Sequence, residues 1–119
     1  MIVINVCDLV ETADLLSPKK GDLLRKKISD LLKSNDEVCL DFKNYESLSS
    51  SFLNESIGKL IIENEWSPKK LKKMLSWKNL NEDDEVGIEI AIENAKTKLY
   101  LIKNKINQAE FYQQNIPAL

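Results

Sequence analysis

An α/β fold, with a small mixed sheet flanked by helices and an extended C-terminal helix, is what the sequence predicts. Three observations predict it. Short runs rich in β-branched residues alternate with period two, Ser-Pro pairs open stretches of helical periodicity, and the two kinds of segment follow one another in strict turn.

The first strand is read from Ile2, Ile4 and Val6, which alternate with Val3 and Asn5. Ser17 and Pro18 mark a helix start, because a serine oxygen can accept an orphan backbone amide and proline fits the first turn. Leu23, Leu24, Ile28, Leu31 and Leu32 recur at helical spacing, and the helix is expected to stop near Ser34 and Asn35. The run VCLDF places Val38, Leu40 and Phe42 on one face and Cys39 and Asp41 on the other, the pattern of a central strand with a polar residue near its end. Lys43 and Asn44 then turn the chain.

Ser49, Ser50 and Ser51 stand at the mouth of a second helix that carries Phe52, Leu53, Ile57, Leu60 and Ile61. A second pair, Ser67 and Pro68, opens the basic stretch KKLKKM, and LSWKNL reads as a third strand. Acids from Glu82 to Glu85 suit the positive end of the longest helix, whose apolar stripe runs through Ile88, Ile92, Ala95, Leu99, Ile102 and Ile106. The pattern fades beyond Ala109, and Pro117 prevents further helix.

Composition narrows the function classes. The 119 residues suit one domain, and 43% hydrophobic with 30% charged residues describes a folded chain. Seventeen basic against 19 acidic residues leave a net charge of -2, without the positive excess that a phosphate backbone attracts, so nucleic acid is not expected as a partner. There is no histidine, which removes Ser-His-Asp and Cys-His machinery and every His-ligated zinc site. Neither an enzyme, a metal nor a cofactor is expected. Cys7 and Cys39 fall in strand-like runs and read as reduced core residues. The first residues have no basic region ahead of Asp8, and no apolar run approaches ~20 residues, so a cytoplasmic protein without membrane contact is expected.

The stretch Val38 to Leu60, VCLDFKNYESLSSSFLNESIGKL, resembles the STAS-like family of small bacterial proteins, in which a strand ending in Asp-Phe leads through a serine-rich turn into a helix. PKKGDLLRKKISDLL, with Gly21 and Arg25, and EIAIENAK in the final helix resemble that family too. The resemblance implies a STAS-like domain over residues 1–98, followed by a C-terminal helical extension and tail over 99–119. More distantly, the turn is similar to STAS domains of anti-sigma factor antagonists, where a serine opening the helix is phosphorylated by a partner kinase. Matched from Leu40 and Asp41, Ser50 and Ser51 fall on the paired serines and Ser51 on the phosphorylated one. Ser49 stands where the antagonists have Asp, and Phe52 where they have Gly.

That resemblance implies a non-enzymatic regulatory or adaptor module, switched by serine phosphorylation. Its partner would be a protein of the histidine-kinase-like ATPase or serine kinase class, met through Asp41, Ser49, Phe52, Asn54 and Glu55. A phosphate on Ser51 would bring about -1.5 to -2 charge to the positive end of a helix and change what a partner reads there. The bland alternative is that the serines only cap the helix. Asp41 with Ser51 makes a poor catalytic pair, since a carboxylate alone activates a hydroxyl weakly. Lys69, Lys70, Lys72 and Lys73 read as a solvated helix face, and Trp66 and Trp77 as core rim. The alternative function is a structural or interaction subunit of a mobile-element or phage-related system. Its interface, a homodimer among the options, would be the C-terminal helix through Leu99, Ile102 and Ile106.

Overall fold

The computed structural model describes residues 1–34 and 36–115, with side chains described through Lys105. It is an α/β fold with a small parallel sheet flanked by helices and a long C-terminal helix. Strand β1 (Ile2–Asn5) leads straight into helix α1 (Val6–Val10), followed by β2 (Asp14–Leu15) and α2 (Pro18–Lys33). Strand β3 (Val38–Asp41) and the short β4 (Ser47–Leu48) precede α3 (Ser50–Leu53), a π-helical segment (Asn54–Gly58) and α4 (Lys59–Asn64), which continue one another. Helix α5 (Pro68–Met74), strand β5 (Leu75–Lys78) and α6 (Glu82–Asn115) complete the chain.

The main sheet has the order β1-β3-β5, all parallel, with Ile4 opposite Leu40 and Leu40 opposite Trp77. A second, two-stranded parallel sheet joins β2 to β4. Two right-handed crossovers running the same way across a sheet deliver their helices to one face. The inner face, with Ile4, Val38, Leu40 and Leu75 buried, meets the helices. On the opposite face the edge strands stay in solvent, with Val3 52% exposed and Ser76 and Lys78 exposed. Parallel sheets are usually covered on both sides. Here β3 alone, with Val38, Cys39 and Leu40 all buried, has the double burial of a central strand.

Both Ser-Pro pairs work as helix starts. Ser17 accepts the Lys19 amide at 3.1 Å and Ser67 accepts the Lys70 amide at 3.1 Å, with Pro18 and Pro68 in the first turn. Four elements depart from the sequence expectation. Helix α1 takes Val6 and Cys7 out of the first strand, because Asn5 accepts the Asp8 amide at 3.2 Å and turns the chain helical. Strands β2 and β4 are two residues each, too short to show any alternation. The second helix, expected as one regular piece, is interrupted by its π-helical turn. The end of α6 is set at Asn115, and Pro117 lies outside the described residues.

The core gathers α2, the α3–π–α4 helix and α6 around Leu24, Ile28, Phe42, Phe52, Ile57, Leu60, Ile88 and Ile92. Glycine at position 21 is a packing requirement, since a Cβ there would stand 2.6 Å from the Phe52 carbonyl oxygen. Among the described residues, no helix is long and apolar enough to cross a membrane.

Candidate functional site

The three serines have different fates. Ser49 is engaged in the fold: its side-chain oxygen accepts the Phe52 amide at 3.1 Å, and its hydroxyl donates to the Leu16 carbonyl at 2.8 Å. Its own amide donates to the Leu15 carbonyl at 2.9 Å. One serine therefore caps α3 and ties its mouth to the chain entering α2. Ser50 and Ser51 occupy the first helical positions, exposed, and neither hydroxyl makes a hydrogen bond among the described residues.

Because the Ser49 hydroxyl reaches Leu16 and Gly21 abuts Phe52, the first turns of α2 and α3 lie side by side. Helix α2 adds a shallow depression of about 320 Å³ lined by Lys19, Lys20, Asp22, Leu23 and Lys26. A bond from Lys26, with the nearby Arg25 charge, holds the Asp22 carboxyl below its usual range. Arg25 itself is buried, paired with Asp22 and 3.4 Å from Glu63, so it joins α2 to α4.

Behind the serines the helix passes through its π turn. Ser56, fully buried, donates to the Phe52 carbonyl at 2.7 Å, so that carbonyl is satisfied from within the helix while Gly21 passes over it. Gly58 faces α6, where an added Cβ would meet the Ala91 oxygen at 3.5 Å and the Ala95 Cβ at 3.7 Å. The extra residue of a π turn thus lets one helix press against both α2 and α6. Asn54 is exposed, and Glu55 is half-buried with a 3.0 Å ion pair to Lys59. Asn54, Glu55 and Lys59 border a small cavity of about 140 Å³ against Asn94 and Lys98 of α6.

Two of the expected contacts sit elsewhere. Phe52 is fully buried, so its ring belongs to the core and presents nothing to a partner. Asp41 lies at the end of β3 and accepts the Asn79 side chain at 2.7 Å and the Lys43 amide at 3.0 Å; no hydrogen bond among the described residues joins it to a serine. Those two bonds, in that order of weight, hold its carboxyl below the usual range. Ser47 turns instead to Asp14, at 2.8 Å.

Cys39 is buried in β3, but Cys7 is half-buried in α1, where burial and then the charges of Asp8 and Asp41 push its thiol up. Among the described residues, no group of three Cys, Asp or Glu side chains is placed to hold a metal ion. Along α6, Leu99 packs on the core, Ile102 is exposed, and Ile106 lies beyond the described side chains. Leu99 is therefore partly covered by the chain's own core. The lysines of α5 are exposed on its outer side, Leu71 is buried beneath them, and Lys72 pairs with Glu89 at 2.6 Å. Trp66 and Trp77 are half-buried at the core rim.

A node that sequence reading missed fastens the start of α6 to the loop before the serines. The Tyr45 hydroxyl donates to Asp84 at 2.5 Å and accepts the Asn81 amide at 3.2 Å, while Asn81 caps α6 by accepting the Asp84 amide at 2.8 Å. The Asn81 to Asp84 spacing is a readable cap signal, but nothing local in the sequence points to Tyr45.

The strand ending at Asp41, the serine mouth and the Gly21 and Arg25 contacts all lie inside one matched segment. A family model described as a STAS-like domain of unknown function matches residues 20–85. This chain belongs to the STAS-like domain family. Comparison with curated proteins and with solved structures finds no match. Within the matched STAS-like segment, Gly21 and Arg25 have physical reasons to be there: one admits a close helix crossing, the other carries a buried ion pair.

Proposed function

We propose that this STAS-like domain is a non-enzymatic regulatory module that binds a protein partner through the mouth of α3 and the adjoining start of α2. Ser51, with Ser50 beside it, is the switch. The observation that carries this reading is the division of labour among three consecutive serines. Ser49 alone does the capping, and the other two present exposed, unengaged hydroxyls on the first helical turn.

A phosphate at that position meets the positive end of the helix and leaves the core untouched, because the side chain already points away from it. Lys19 and Lys20 on the adjoining turn of α2 favour the same anion. A partner surface complementary to neutral serines would then face a desolvated or repelled dianion, which is how the modification releases it. The partner class is a histidine-kinase-like ATPase or serine kinase, by analogy with anti-sigma factor antagonists. Any nucleotide belongs to that partner, since no Gly-rich phosphate loop occurs in this chain. Asn54 and Glu55 lie one turn further along and extend the contact.

The test is a native-lysate pull-down with wild-type and Ser51→Asp baits, read by mass spectrometry for bound proteins and for phosphate on the bait. An ATPase of the kinase class held by wild type and released by Ser51→Asp, with phosphate on Ser50 or Ser51, is the expected result. Equal capture by both baits with no phosphate reduces the pair to surface residues.

A further inference from the structure

Strand β5 is an edge of the main sheet, with β3 on one side of it and no strand of the described chain on the other. The Lys78 carbonyl accepts the Phe42 amide at 3.1 Å, and successive residues of a strand direct their backbone groups to opposite sides. Ser76 and Lys78 therefore face β3, while the N–H and C=O of Trp77 point to the open edge. Neither Trp77 group makes a hydrogen bond among the described residues. The Leu75 amide, by contrast, donates to the Leu71 carbonyl. The Trp77 side chain shares the inner face with Leu40, its register partner, and stands beside α6 in an open groove of about 800 Å³. Val86 and Ile90, each more than half exposed, complete the apolar lining, and Glu82, Glu85, Glu89 and Glu93 form the rim. Lys72 pairs with Glu89 at 2.6 Å, but Glu82, Glu85 and Glu93 pair with no cation among the described residues.

We infer that the open edge of β5 takes up an extended segment of another protein, with arginine or lysine at alternate positions, as a fourth, antiparallel strand. Two observations meet here: an unpaired backbone edge at Trp77, and three uncompensated carboxylates beside it. An antiparallel neighbour exchanges both hydrogen bonds with Trp77, and residues directly opposite one another in such a pair stand on the same face. The residue opposite Trp77, with those two places before and after it, therefore points toward α6. Arginine or lysine there brings an apolar stem to the indole and Val86, and a cation to Glu82, Glu85 and Glu93. Backbone bonds hold the segment and the alternate cations select it. A basic helix would satisfy the glutamates and leave the Trp77 groups unpaired, and an acidic strand would do the reverse, so the extended basic segment alone answers both. The inference is independent of the serine switch, which lies on α3.

Isothermal titration of the full chain with a blocked octapeptide of alternating arginine and threonine reads the affinity, and hydrogen exchange at the Trp77 amide reads the mode. Wild type is expected to bind the peptide, and the double variant Glu85→Lys, Glu93→Lys to bind it at least about tenfold more weakly with an unchanged far-UV spectrum. Saturating peptide is expected to slow exchange of the Trp77 amide at least about tenfold, which attraction to α6 alone does not do. Three outcomes overturn the inference. They are no binding up to about 1 mM peptide, equal binding by the double variant or of a glutamate-threonine peptide, and binding that leaves Trp77 exchange unchanged.

Discussion

Ser49 and Ser51, two residues apart, should respond differently to the same substitution. Ser49→Ala removes a cap and a tie to Leu16, and is expected to cost about 1–2 kcal/mol in denaturant unfolding. Ser51→Ala should stay within about 0.5 kcal/mol, since its hydroxyl holds nothing among the described residues. Gly21→Ala drives a methyl against a backbone carbonyl that is itself held by Ser56, so a loss of about 3 kcal/mol is expected, seen as a lowered melting temperature. At the end of β3, a carboxyl lowered by the Asn79 side chain and the Lys43 amide contributes while ionised. That contribution is present at neutral pH and is lost as pH falls through the depressed titration midpoint. NMR titration should place Asp41 below an ordinary aspartate, and Asn79→Ala should move it upward.

At the scale of elements, the α3–π–α4 helix is the part on which the others depend. It presses on α2 through the Phe52 carbonyl and on α6 through Gly58, and the serine mouth is its free end. Helix α6 is fastened at its start by Tyr45, Asn81 and Asp84, and along Ile88, Ala91, Ile92 and Ala95 by burial. Tyr45→Phe deletes a bond to a carboxylate and leaves the exposed Asn81 amide to water, at an expected cost of about 1 kcal/mol in chemical denaturation. Beyond Leu99 the described contacts of α6 with the core are few, the 3.4 Å Lys103–Glu65 pair among them. Truncation after Leu99 is therefore expected to leave the domain folded, with a melting temperature within a few degrees of wild type.

For the whole molecule, the projecting helix dominates the shape. The described chain measures 61 × 29 × 23 Å, and its radius of gyration is 16.9 Å, against roughly 13–14 Å for a compact domain of this length. A spherical domain would not give that value, and small-angle scattering of the protein distinguishes the two. The singly wound sheet leaves the molecule two-sided: helices on one face of β1-β3-β5, and solvent over Val3, Ser76 and Lys78 on the other.

Local signals in the sequence are enough to place the two Ser-Pro caps, the strands at Ile2, Val38 and Leu75, the acidic start of α6 and the serine turn. Each rests on period two, period 3.6 or an oxygen three residues before an amide, and these act within a few residues. The family resemblance carried by Val38 to Leu60 is legible for the same reason, being a continuous run. Tertiary structure alone decided which serine is engaged, because the partner of Ser49 is Leu16, far away in the chain. It decided likewise that Phe52 is core, that Asp41 turns to Asn79, and that Leu99 faces inward. Side-chain periodicity says which residues share a face. Only the packing of other elements says which of those faces meets water.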